Sequence, residues 1–202
     1  MKTSCRLPSL LLWPLGQLVR AQLVWRPGPT TTASNFRVRL HSTEANSPLG
    51  AVFENLVLAT LSDCDAIASI GRADDSSLIL FVNVESEAIQ SERHGKKRVL
   101  TLRDEGGGRR MLAFKCGKEA VPSVGFDVRS SDGAPRLVVA RDSNPRFYAC
   151  LDKAGKTRVF DESDRGCTEV ELLLECADGP DHGATELAVC CERVENGDCL
   201  HE

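Results

Sequence analysis

The side chains with the most chemistry in this sequence are its cysteines: Cys64, Cys116, Cys150, Cys167, Cys176, Cys190, Cys191 and Cys199, with a ninth at Cys5. Thiols at this density either oxidise in pairs or ligate metal. The metal reading would draw on His182, Cys190, Cys191, Cys199 and His201, which are zinc's preferred ligand types. The spacing opposes it. There is no Cys-x-x-Cys knuckle, and in a strand the vicinal Cys190 and Cys191 would point to opposite faces. The cysteines therefore read as disulfide partners, with no metal and no cofactor expected. If Cys190 and Cys191 bond to different partners, they pin the C-terminal segment from both faces.

Other constellations are incomplete. A serine hydrolase needs a nucleophile, a base and an orienter, often announced by Gly-x-Ser-x-Gly, which is missing here. His41, His94, His182 and His201 lie in four separate loop contexts and read as surface residues. Asp74, Asp75, Asp161, Glu162 and Asp164 could serve glycoside hydrolysis only if two of them met at a set separation, and they read as solvated turn residues. Asp161-Glu162-Ser163-Asp164 hints at calcium but lacks the glycine and terminal glutamate of an EF-hand loop. Gly106-Gly107-Gly108 is followed by Arg109-Arg110 instead of Lys-Ser/Thr, so it reads as a hairpin turn and not a phosphate cradle. Lys96-Lys97-Arg98 and Arg109-Arg110 read as charged strand ends, not as dibasic processing sites. No catalytic, cofactor-binding or metal-binding residue is assigned, and the expectation is a non-enzymatic protein.

The segments around these residues set the compartment. Residues 1–21 carry Lys2 and Arg6, no acid, and the apolar stretch Leu7 to Val19, with Val19 and Ala21 at the small positions of a cleavage site. Pro8, Pro14, Gly16 and Gln17 interrupt the stretch, which falls short of the roughly 20 apolar residues of a membrane span. It reads as a signal peptide and not an anchor. Cleavage after Ala21 leaves 181 residues and eight cysteines, an even number suited to an oxidising compartment. A chain of that length forms one ordinary domain burying roughly 70% of its unfolded surface. Residues 22–34, rich in proline, glycine and hydroxyl side chains, read as a flexible leader in which Thr30, Thr31 and Thr32 could carry O-linked sugar. There is no Asn-x-Ser/Thr sequon, since Asn46-Ser47-Pro48 ends in proline.

Without the signal, 22 basic groups face 29 acidic ones, a net −7 that offers no bulk attraction for nucleic acid. The distribution is uneven: residues 22–160 hold 20 basic and 16 acidic groups, residues 161–202 hold 2 and 13. Such a tail masks a basic surface, meets a basic partner or forms a solvated face that aids solubility, and the last is the expectation here.

From Asn35 the pattern is that of strands. Phe36, Val38 and Leu40 alternate with Arg37 and Arg39, and further runs span Phe53 to Thr60, Ser77 to Val84, Arg98 to Arg103, Arg110 to Cys116, Val124 to Arg129, Arg136 to Ala140, Arg146 to Leu151, Thr157 to Asp161, Thr168 to Cys176 and Glu186 to Cys191. Leu78 to Val84, apolar on both faces, suits a central strand; Val170, Leu172, Leu174 and Cys176 form one inward row. A short helix competes over Glu85 to Glu92. Three equivalent units, as a trefoil requires, do not align. The expected fold is all-β, an antiparallel sandwich or barrel of about ten short strands held by disulfides. Its domain covers residues 35–176, with 177–202 an acidic, cysteine-containing extension. Eight cysteines allow on the order of a hundred pairings. Cys150, closing the run from Arg146, and Cys167, just past the stretch Thr157 to Asp161, would tie the two ends of one local excursion, a loop closure of roughly 3 kcal/mol.

Five segments in succession carry a family resemblance: Gly125-Phe126-Asp127-Val128, Arg136-Leu137-Val138-Val139, Phe147-Tyr148-Ala149-Cys150, Arg158-Val159-Phe160 and Gly166-Cys167-Thr168-Glu169-Val170. This series resembles the C-terminal half of small secreted fungal cell-wall proteins of the IgE-binding and phialide-associated kind. Phe36-Arg37-Val38-Arg39-Leu40, and Cys64 before Leu78 to Phe81, are similar to its N-terminal half. The resemblance covers about Asn35 to Cys176 and leaves Asp178 to Glu202 unmatched. It implies an extracellular β-domain of a fungal wall or surface, without known catalysis, and the same Cys150 to Cys167 bond. The function expected is that of a non-enzymatic secreted extracellular or cell-wall-associated protein, extending to a host-directed effector. Its expected partners are cell-wall polysaccharide or an extracellular protein, not nucleic acid, and not membrane once the signal is cleaved. The alternative is a carbohydrate-binding or enzyme-inhibitor module, whose aromatic platforms would have to come from Trp25, Tyr148 and a few phenylalanines.

Overall fold

The structure, a computed structural model, describes residues 30–44, 46–60, 68–71, 78–93, 95–116, 126–129, 134–140, 146–183 and 185–200. In chain order it holds β1 (Thr30–Ala33), β2 (Phe36–Ser42), α1 (Pro48–Phe53), β3 (Val57–Thr60), β4 (Ala68–Gly71), β5 (Phe81–Asn83), β6 (Ala88–Arg93), β7 (Lys96–Asp104) and β8 (Arg110–Cys116). Then follow β9 (Phe126–Arg129), β10 (Arg136–Val139), β11 (Phe147–Leu151), β12 (Thr157–Phe160), β13 (Cys167–Cys176), β14 (Thr185–Glu186), β15 (Ala188–Cys191), β16 (Arg193–Glu195) and β17 (Asp198–Leu200). The protein is all-β, its strands forming a curled antiparallel sheet.

Alternation sets the register. In β2, Phe36, Val38 and Leu40 are buried while Arg37, Arg39 and His41 are partly exposed. Its antiparallel partner β13 sets Leu172 opposite Leu40 and Leu174 opposite Val38, so both apolar rows enter one interior. A slip of one residue would turn all of them outward. Phe53, Leu80, Leu100, Leu112, Phe114, Phe147 and Val159 complete that core. Each such side chain contributes about 1.5–3 kcal/mol by leaving water.

The pairing of β2 to β13 repeats in units of four strands. The two middle strands of each unit form an antiparallel pair: β3 with β4, β7 with β8, β11 with β12. The units join through β5 with β6, β9 with β10, and β13 with β2. In the first unit Phe36 and Leu80 exchange both backbone hydrogen bonds, at 2.9 and 2.8 Å, bringing the first strand to the fourth. In the third, β10 meets β13 in the same way. At one end of the barrel β12 pairs with β8 through Phe160 and Met111, and β4 packs on both. Three hairpins thus gather on one curled sheet, with β2 meeting Leu80 just ahead of β5 in the first unit and β10 meeting β13 in the third.

Several boundaries differ from the sequence reading. The helix lies at Pro48–Phe53, where Ser47 Oγ accepts from Gly50 N at 2.9 Å and Pro48 starts the first turn; β3 then begins only at Val57. The stretch offered as a helix, Glu85 to Glu92, turns and enters β6. The apolar Leu78 to Val84 is a regular strand over three residues only, flanked by strands on both sides. Its only regular portion is β5, with the two-residue β14 on its outer side, and Leu80 is buried because it closes the barrel. Part of the leader is also ordered: Thr30–Ala33 pairs along its whole length with Ala188–Cys191, because β15 offers it a backbone edge. Residues 1–29 lie outside the described residues.

The C-terminal segment is integrated with the barrel. β15 runs beside β13, with Cys191 opposite Glu175, and β14 pairs with β5. The hairpin β16–β17 covers the outer face of β13, where Leu173 packs with Ala134, Cys191, Val194 and Cys199 in a second cluster. β13 is thus buried on both sides. A carboxylate sits in this layer: Glu175 accepts from Arg39 Nε at 3.0 Å, from Arg39 Nη2 at 2.9 Å and from Val194 N at 3.1 Å. With the Glu175 side chain only 9% exposed, breaking this set strands a charge away from water. We expect Glu175→Ala to lower stability by about 3–5 kcal/mol in chemical denaturation. Glu171→Ala, at the more exposed pair with Arg136, should cost less than about 1 kcal/mol.

Candidate functional site

The cysteines are the first candidates to locate. Cys150 is bonded to Cys167, Cys176 to Cys190 and Cys191 to Cys199, with S–S distances of 2.07, 2.01 and 1.91 Å. Cys116 is disulfide-bonded as well, and Cys64 lies outside the described residues. The vicinal pair therefore does serve two partners. Cys190 reaches into the barrel core with Cys176 packed against it, and Cys191 faces the outer cluster with Cys199. Among the described residues no group of three or more His, Cys, Asp or Glu could hold a metal ion.

The described histidines are not free surface groups, contrary to the expectation for all four. His41 Nδ1 lies 3.0 Å from Glu54 Oε1, and Glu54 Oε2 accepts from Ser42 N at 2.9 Å. This resembles a base with its orienter, but the far side of the ring is closed. A Cβ built on Gly197 would come within 2.6 Å of His41 Nε2, so the β16–β17 turn occupies the position a substrate would need. His182 stacks on Phe81 with ring centroids 3.9 Å apart, and its Nδ1 lies 3.4 Å from Glu92 Oε2. It fastens the segment before β14 to β5 and β6. His94 and His201 lie outside the described residues.

The carboxylates of the Asp161 to Asp164 turn face arginines. Asp161 accepts from Arg110 N and Nε, and Asp164 lies 3.0 Å from Arg109 Nη1. Glu169, Glu171 and Glu175 pair with Arg146, Arg136 and Arg39. Five carboxylates of the acidic part, Asp161, Asp164, Glu169, Glu171 and Glu175, thus pair with arginines of the preceding body, while Asp178, Asp181, Glu186, Glu192, Glu195 and Asp198 are exposed, as a solvated face requires. Asp74 and Asp75 lie outside the described residues. Gly106, Gly107 and Gly108 all have positive φ, between 70° and 90°, and form the turn between β7 and β8. Of the two dibasic stretches, Arg98 is buried and Arg109 is largely covered, as strand pairing requires.

The most unusual local chemistry is at Arg109, which sequence reasoning passed over as a strand end. Its guanidinium carbon lies 3.5 Å from the centroid of the Phe160 ring. Nη2 donates to Cys150 Sγ at 3.0 Å and to Cys167 Sγ at 3.4 Å. The last glycine of the β7–β8 turn delivers this arginine to the place where the strand pair β11–β13 sets Cys150 opposite Cys167. The signal was present as a glycine turn leading into an arginine, but no local pattern links it to cysteines 41 and 58 residues on.

Fold and candidate sites together define an all-β, disulfide-braced protein, and the described residues include no helix long and apolar enough to cross a membrane. The disulfides fit an extracellular protein. No family model and no curated protein matches this chain. Two solved structures are similar in part: full-length CARDS toxin at 10% identity and a TM-score of 0.48, covering 76% of this chain and 28% of the toxin, and nicked CARDS toxin at 12% identity and the same TM-score, covering 70% and 26%. The chain spans little more than a quarter of either toxin chain.

Two outcomes follow from this geometry. Gly197→Ala, at φ 90° and against His41, should destabilise the fold by about 1–3 kcal/mol in thermal denaturation. Asp152 titrates below its ordinary value of 3.8, chiefly because its carboxylate accepts from Lys156 N, with Ala154 N and Arg158 adding to the effect. Its contribution to the β11–β12 turn is therefore complete above the ordinary value and lost as pH falls through the lowered one. Carboxyl NMR titration of wild type and Asp152→Asn checks the assignment.

Proposed function

We propose that this chain is a non-enzymatic secreted protein of the extracellular space, associated with a fungal cell wall or surface and extending to a host-directed effector role. The observation that carries the reading is that the seven described cysteines from Cys116 to Cys199 are all disulfide-bonded, a state that persists in oxidising compartments and is rare in the cytosol. The signal-like residues 1–21 and the resemblance of residues 35–176 to small secreted fungal wall proteins support it. The candidate catalytic groups also have structural partners: His41 is closed off by Gly197, and Asp161 and Asp164 are held by arginines. The partner in this reading is cell-wall polysaccharide or an extracellular protein.

Intact mass of protein expressed through a secretory pathway tests it. The expected species begins at Gln22 and shows eight free thiols only after reduction. A mass retaining Met1, or thiols titrating before reduction, overturns it. Fractionation then separates the roles: retention in the wall without glycan binding is the expected result. Binding to defined wall glycans would move the assignment to a carbohydrate-binding module.

A further inference from the structure

We propose that the Cys150–Cys167 bond is a site of thiol–disulfide exchange with a small dithiol, activated by Arg109. Three features converge on it. The two sulfurs are unequally placed: Cys150 is 7% exposed, whereas Cys167 is partly exposed and follows the exposed stretch 162–166. An attacking thiolate therefore reaches Cys167 Sγ first. Cys150 becomes the leaving group, and Arg109 Nη2 is nearer to that sulfur, at 3.0 Å, than to its partner. The guanidinium is also fixed before the reaction, lying over the Phe160 ring and paired to Asp164 through Nη1. Cations beside a sulfur favour its thiolate, and a better leaving thiolate departs faster.

The exchange balances as follows. One thiolate of the dithiol attacks Cys167 Sγ and forms a mixed disulfide, the S–S bond breaks, and its electron pair goes to Cys150 Sγ beside Arg109. The second thiol of the reagent, once deprotonated, attacks the mixed disulfide and expels Cys167 as thiolate. The reagent leaves as a cyclic disulfide, oxidised by two electrons, and the protein bond is reduced by two. Of the other two defined bonds, Cys191–Cys199 is buried at both cysteines, and Cys176–Cys190 also joins a partly exposed cysteine to a buried one; what sets Cys150–Cys167 apart is the Arg109 guanidinium on its sulfurs.

Limiting dithiothreitol, followed by alkylation and peptide mapping over time, tests the proposal on the intact chain. Cys150 and Cys167 should be labelled before Cys176, Cys190, Cys191 and Cys199. Arg109→Gln should slow their reduction by about tenfold and leave the Cys176–Cys190 rate unchanged, while Arg109→Lys, which keeps the cation, should stay within about threefold of wild type. Labelling of another of these pairs first overturns the proposal. So does Arg109→Gln reduction as fast as wild type or faster, the result expected if Arg109 only shields the bond.

Discussion

The structure depends on burying one strand on both of its faces. β13 lies between β2 and the β10–β11 side of the barrel, its even-numbered side chains filling the interior while Leu173 and Glu175 point the other way. An outward leucine and an outward carboxylate could not remain uncovered without cost. The last 26 residues supply the cover: β15 lies alongside, β16–β17 lies over the top, and Val194 N completes the hydrogen bonding of Glu175. Two disulfides then fix the cover to the strand and to itself. The acidic tail is in this sense the outer layer of the domain.

Charge follows the same logic. The arginines of β2, β10 and the segment entering β11 meet carboxylates spaced along β13. Exposed pairs of this kind contribute little singly, and the two made by Glu171 and Glu169 link β13 to β10 and to the segment entering β11. The buried pair of Arg39 and Glu175 differs in kind, since neither member can be removed without leaving its partner short of water.

Much of the strand content was legible because alternation is a local property. Phe36 to Leu40 and Val170 to Cys176 announce both their type and their inward faces, and the Cys150–Cys167 bond joins the ends of a single excursion. The recurrence of hairpins was hidden because their connections differ. Ser42 and Val57 are separated by a loop containing a helix, whereas Arg93 and Lys96 are joined by two residues, so equivalent strands do not recur at a fixed period. β1 was unreadable for another reason: Thr30 to Ala33 has no apolar row, and its strand exists only because β15 presents a free edge. The packed histidines and the placement of Arg109 on a disulfide depend on contacts across many tens of residues, which spacing does not encode.

The pairing of β2 with β13 also sets the order in which this chain can assemble. Phe36 must find Cys176, and Thr31 must find Cys190, so β1 and one edge of β2 wait for nearly the whole chain, while the other edge of β2 meets Val57 and Leu80 much sooner. Contacts of such long sequence separation make folding slow and leave edges exposed meanwhile. Cys176 and Cys190, only 14 residues apart, can meet early by comparison. Once joined, they hold together the two elements that capture the N-terminal strands, so the last-made segment prepares the site for the first.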